Sequence, residues 1–168
     1  MSPDKRQRRS AGKGPREKAP SPAIKIMSSS DDEHLIVYFK RNMNEDPSES
    51  IPGRDFLNSC PPSVRAKMRA VLVAVASAPP KKFSGGGYLE AMHDEMVGWF
   101  EIRVDGPGRR HYRLFCRLDY DALEMTKPLL VVIDGRSKPF RTVLSESEYS
   151  QIRKLGDEYF ANNPRHIT

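Results

Sequence analysis

Residues 98–119 read GWFEIRVDGPGRRHYRLFCRLD, and the fold hangs on how their side chains alternate. Phe100, Ile102 and Val104 alternate with Trp99, Glu101, Arg103 and Asp105. Beyond Gly106-Pro107-Gly108, Tyr112, Leu114, Cys116 and Leu118 alternate with His111, Arg113, Phe115 and Arg117. Period-two alternation on both sides of a glycine-proline turn predicts a β-hairpin with one core face and one face loaded with ionisable groups. The apolar sets share a face only in an even register, which sets Glu101 and Arg103 opposite two of His111, Arg113 and Phe115. Arg103, Arg113 and Arg117 then share a patch roughly 10 Å across with Glu101 and His111. A solvated face laced with ion pairs is one reading. The other is an anion site: Arg103 and Arg113 lie near mid-strand, where like charges repel and a bound phosphate relieves the repulsion.

Outward from the hairpin, His34–Lys40 (HLIVYFK) reads as a short strand followed by a loop, NMNEDPSESIPG. Arg54–Asn58 predicts one helical turn anchored by Phe56 and Leu57. After Pro61-Pro62, Val64, Met68, Val71, Leu72 and Val75 form the stripe of an amphipathic helix that stops before Pro79-Pro80. Its Arg65, Lys67 and Arg69 lie off the stripe, either solvated or against an acidic or nucleic-acid partner. Lys81–Gly87 (KKFSGGG) is a loop, without the preceding strand and Gly-Lys-Ser/Thr of a phosphate loop. Tyr88–Met96 (YLEAMHDEM) fits two helical turns. Leu129–Ile133 (LLVVI) is a central strand covered on both faces and ended by Asp134-Gly135; beyond it GRSKPFR carries Arg136, Lys138 and Arg141. Ser145 caps a last helix, with Glu148 at the capping-box position and Tyr149, Ile152, Leu155, Tyr159 and Phe160 as its buried stripe; Asn162-Asn163-Pro164 ends it. The predicted class is α+β: a small antiparallel-rich sheet of about four strands packed with two N-terminal helices and a C-terminal helix.

The 168 residues suffice for one domain and an appendage. The net charge of +6 looks like a nucleic-acid signature until it is divided along the chain. Residues 1–30 hold eight Lys or Arg against Asp4 and Glu17, and the remainder holds equal numbers of basic and acidic residues. The excess therefore belongs to a tail too poor in large apolar residues to fold, and residues 31–168 form the domain. Met27, ahead of SSSDDEH, is an alternative start. Cys60 and Cys116 are too few for a disulfide framework and lack metal-ligand spacing, as do the four scattered histidines, so neither metal nor cofactor is expected. The longest nearly apolar run, Val71–Ala78, is far short of a membrane span, which suggests a cytoplasmic protein.

A strand, a helical pair containing FLNSCPPSVRAKM, a hairpin of the form G-W-F-E-I-R-V then H-Y-R-L-F, and a further strand followed by basic G-R-S-K resemble the RelE/ParE toxin superfamily. The branch they look most like is that of HigB-like and phage-derived host-killing proteins. The resemblance covers about Leu35 to Arg141. It implies a toxin that cuts messenger RNA on the translating ribosome and is neutralised by an antitoxin, expected to be a helix-turn-helix protein. By motif position the site falls on Glu101 and Arg103, on Arg113, and on Arg136 or Lys138. Glu101 stands where RelE proper has a lysine, and no tyrosine follows G-R-S-K, where Phe140 is the nearest ring.

RNA is cut without a metal when its own 2′-hydroxyl attacks the adjacent phosphorus, which requires a base, an acid and a stabiliser of the added charge. Arginine suits the last task only, so Arg103 and Arg113 are assigned to phosphate oxygens, and Arg117, Arg136, Lys138 and Arg141 to the flanking backbone. Glu101 or His111 is the candidate base. Trp99 and Phe115 either stack an unpaired base or pack under the last helix. Two other functions use the same face: a ParE-like inhibitor gripping a protein target such as gyrase, and an RNA-binding phage or accessory protein without chemistry.

Overall fold

The computed structural model describes residues 33–77 and 89–168; the basic tail, the alternative start at Met27 and the KKFSGGG loop lie outside them. In chain order the elements are β1 (Leu35–Tyr38), α1 (Pro52–Ser59), α2 (Pro62–Ser77), β2 (Leu89–Ala91), β3 (Trp99–Gly106), β4 (Arg110–Asp119), β5 (Leu129–Pro139) and α3 (Glu146–Phe160). They build an α+β unit on one five-stranded sheet, ordered β1-β5-β4-β3-β2. β1 runs parallel to β5, and the other pairs are antiparallel.

Each helix forms for a local reason. Proline within the first turn starts α1, where its missing N–H costs nothing. The predicted stripe drives α2: Val64, Met68, Leu72 and Val75 are buried against Ile102, Val104 and Leu114. Ser145 and Glu148 close the predicted capping box on α3. α1 and α2 cover one face of the sheet and α3 covers the other, so there are two apolar cores.

That double cover corrects the expected division into one core face and one charged face. On the α3 side, Trp99 and Phe115 are buried together with Val131, Ile133, Ile152 and Tyr159. Two of the eight residues on the supposedly charged hairpin face are therefore core. Two further corrections concern strands. The sheet has five rather than four, because Leu89–Ala91 pairs along β3 with Leu89 opposite Ile102; only Asp94–Met96 keeps a helical form, as a 3₁₀ turn. Pairing to an existing hairpin outweighs the weak helical preference of so short a run. Nor does Asp134-Gly135 end β5, which continues to Pro139.

The chain end is tied back to β1. Thr168 and Tyr38 exchange backbone hydrogen bonds of 3.0 Å in both directions. Behind them Asp119, buried, accepts from Tyr159 Oη at 2.8 Å and Arg165 Nε at 2.7 Å. Among the described residues no helix is long and apolar enough to cross a membrane.

Candidate anion site on the sheet

The site depends on one irregularity. β4 pairs Phe115 with Asp134 but Cys116 with Val132, so Ile133 is the extra residue of a β-bulge. In a regular strand Val131 and Ile133 would face opposite to Asp134, Arg136 and Lys138. The bulge resets the alternation: Val131 and Ile133 pack on the α3 core, and Arg136 and Lys138 still fall opposite Arg113 and His111. Gly135 takes the other face, where a Cβ would collide with the Phe56 ring of α1.

With that register the α3 face carries three cross-strand rows, neighbouring strands being about 4.8 Å apart. Glu90, Glu101, Phe115 and Asp134 form the first, Arg103, Arg113 and Arg136 the second, and Asp105, His111 and Lys138 the third. The expected even register is therefore the observed one.

Two guanidinium charges about 5 Å apart repel by roughly 3 kcal/mol at an effective dielectric of about 20, so the arginine row needs the carboxylates beside it. Arg103 bonds Glu101 Oε1 through Nε at 2.5 Å and reaches Glu90 Oε2 at 2.5 Å. Arg113 Nε lies 3.8 Å from Glu101 Oε2, and Arg136 Nη2 lies 3.0 Å from Asp134 Oδ2 and 3.3 Å from Gln151 Oε1. These carboxylates are interior groups, Glu101 being 6% exposed and Asp134 4%.

The balance is incomplete at Arg113. Its side chain is 11% exposed, yet among the described residues its guanidinium donates one long hydrogen bond, 3.4 Å to the Tyr112 carbonyl. Burial weakens its hold on its proton, against the pull of Glu101. Among the described residues, the buried side-chain N and O atoms without a hydrogen bond are Arg136 Nε and Asp134 Oδ2, whose 3.0 Å ion pair lacks the alignment for one, and Arg117 Nε, outside the row. Burial raises the Asp134 carboxyl pKa, with Arg136 opposing. Under-coordinated N–H donors in a weakly screened setting are what a phosphate oxyanion satisfies.

Of the residues singled out from sequence, Glu101, Arg103, Arg113 and Arg136 converge, and His111 and Lys138 form the adjoining row. Arg117 does not join them. Its guanidinium is sandwiched between Trp99 and Phe160, 5.1 and 4.9 Å from the ring centres, under α3. Arg141 is exposed beyond the end of β5, outside the rows. Trp99 and Phe115 are core residues, so of their two readings the packing one holds.

Sequence reasoning missed Glu90, hidden in a misread helix; Asp134, read as a strand terminator; and Tyr149, counted as core. Tyr149 is only half buried and belongs electrically to the cluster: burial raises its pKa first and the Glu101 charge next. It also lines a cleft of about 440 Å³ with Met92, His93, Met96 and Arg153. A larger cleft, about 610 Å³, lies away from the rows and is lined by Arg41 and Glu158, which are paired to each other at 3.0 Å. Among the described residues no group of three or more His, Cys, Asp or Glu side chains is placed to hold a metal ion. Comparisons with family models, curated proteins and solved structures return no match for this chain.

Proposed function

We propose that the chain is an endoribonuclease toxin of the RelE/ParE type that cuts messenger RNA on the ribosome without a metal and is neutralised by a helix-turn-helix antitoxin. One observation carries the reading: Arg103, Arg113 and Arg136 stand side by side on adjacent strands, with the mostly buried Arg113 short of hydrogen-bond partners. Such a row supplies planar, permanently charged donors to a phosphate whose charge grows as the 2′-oxygen attacks. The order of elements, a strand, two helices, a short edge strand, a hairpin, an inner strand and a helix, supports the same reading. So does Tyr149, a phenol that G-R-S-K itself lacks, whose ring meets Phe115 of the first row edge-on with centres 6.4 Å apart.

One observation favours a ParE-like grip on a protein target instead: Glu101, where RelE proper has lysine, is locked against Arg103 and is not free for chemistry. Induction of the full chain in a bacterial host beside Arg113→Ala separates the readings. The expected result is growth arrest with new messenger 5′ ends, and a cleavage rate about 10² to 10³ lower in the variant. Arrest with intact messages establishes the protein-target reading. No arrest by a folded protein withdraws the enzymatic assignment and leaves an RNA-binding module.

A further inference from the structure

We propose that the third row, Asp105–His111–Lys138, performs the proton transfers at this site: His111 is the base, Asp105 the residue that orients it, and Lys138 the acid. The inference rests on the endoribonuclease reading and goes beyond it by assigning the protons. The imidazole is held in two ways. Its Nδ1 lies 2.5 Å from Asp105 Oδ1, and its ring stacks on Phe140 with centres 4.4 Å apart and planes 27° apart. Phe140 is itself pinned, its N–H donating to the Arg109 carbonyl at 2.8 Å.

A carboxylate only accepts, so Asp105 keeps the neutral ring's hydrogen on Nδ1 and leaves the lone pair on Nε2. His111 remains reachable, with 23% of its side chain exposed. The other candidate base, Glu101, is buried and serves as counter-ion to Arg103 and Arg113. Lys138 is the register partner of His111 on the next strand. It faces Arg103, Arg113 and Glu101 on the hairpin and Glu148 on α3; burial and then Arg113 loosen its proton, which suits a donor.

His111 and Arg113 are two residues apart on one strand face, about 7 Å, so a phosphate on the arginine row brings its neighbouring 2′-hydroxyl within reach. The 2′-proton passes to His111 Nε2 as the 2′-oxygen bonds to phosphorus. The bond from phosphorus to the 5′-oxygen breaks, and that oxygen takes a proton from Lys138 Nζ. The products are a 2′,3′-cyclic phosphate and a 5′-hydroxyl. Solvent returns the proton from His111 to Lys138.

The test uses the full chain with ribosomes carrying a short messenger, and ¹⁵N spectra of the imidazoles. The neutral His111 ring is expected to carry its hydrogen on Nδ1, with that preference lost in Asp105→Asn. Cleavage is expected to fall about tenfold or more in Asp105→Asn through kcat rather than KM, and about 10² to 10⁴ in His111→Ala. Lys138→Ala is expected to lose cleavage of ordinary RNA but regain it on a messenger whose leaving 5′-oxygen is replaced by sulfur, since a thiolate leaves without an acid. That rescue, together with a folded spectrum, excludes a merely structural role. An Nε2–H ring, or a folded His111→Ala protein within threefold of wild type while Arg113→Ala is inactive, overturns the row and keeps the nuclease. No cleavage by the wild-type chain overturns both.

Discussion

Arg113 and Glu101 show how one side chain conditions another. Glu101 sits at the contact of the carboxylate and arginine rows, and its removal leaves Arg113 without its carboxylate partner and Arg103 with Glu90 alone. Glu101→Gln is expected to cost about 1 to 3 kcal/mol, below the value for a fully buried pair because Arg103 is partly solvated. Inorganic phosphate should restore much of that loss by binding the freed arginines, an effect read in urea melts with and without the anion. A loss that phosphate does not touch would show that the row holds no anion. Asp134 adds a pH signature. Burial raises its folded pKa above the unfolded value of about 3.9, so the folded chain keeps a proton that the unfolded chain has released. Stability therefore falls as pH rises from about 4 through the folded-state pKa, and Asp134→Asn should remove that slope in melts across the range. At this scale alternation alone disclosed Glu101, Arg103, Arg113 and His111. It misplaced Arg117 because the Trp99–Phe160 sandwich exists only once α3 has folded over the hairpin.

At the scale of elements, α3 and the bulge in β5 decide which part of the hairpin face is core and which is site. α3 lies close to β3 because Gly156 leaves room for the Trp99 ring, into which a Cβ would project. Gly156→Ala should therefore destabilise the fold by about 1 to 3 kcal/mol, measured by thermal or urea melts, because the buried ring cannot step aside. A neutral result would mean that α3 and the Trp99 ring can move apart to admit a methyl group. The hairpin, α2 and the capped start of α3 were legible, since each announces itself through its own periodicity or cap. β2 and the bulge were not. Three residues are too few for a period to show, and a bulge is fixed by the partner strand rather than by the bulged sequence. Reading Asp134-Gly135 as a terminator hid the device that turns Arg136 and Lys138 toward Arg113 and His111.

In the whole molecule, helices cover both faces of the sheet and the C-terminal residues close its β1 edge. The clamp at that end is an interior ion pair: Arg165 also donates to the Phe160 and Asn162 carbonyls and lies over the Tyr159 and Phe160 rings. Arg165→Ala would leave Asp119 charged and unpaired, at a cost of about 3 to 5 kcal/mol, whereas Tyr159→Phe removes one hydrogen bond for about 1 kcal/mol. Comparable losses in the two variants would place the clamp's strength outside the ion pair. The arginine row is the part of the molecule proposed to grip RNA. The most direct test of that grip is a titration of the full chain with a short RNA made uncleavable by 2′-deoxy substitution, following the arginine Nε–H resonances. Arg103, Arg113 and Arg136 are predicted to shift together, with a salt-dependent midpoint, while Arg117 and Arg165 stay fixed. Unmoved resonances from the row, or binding reported only by residues of α1 and α2, would contradict it.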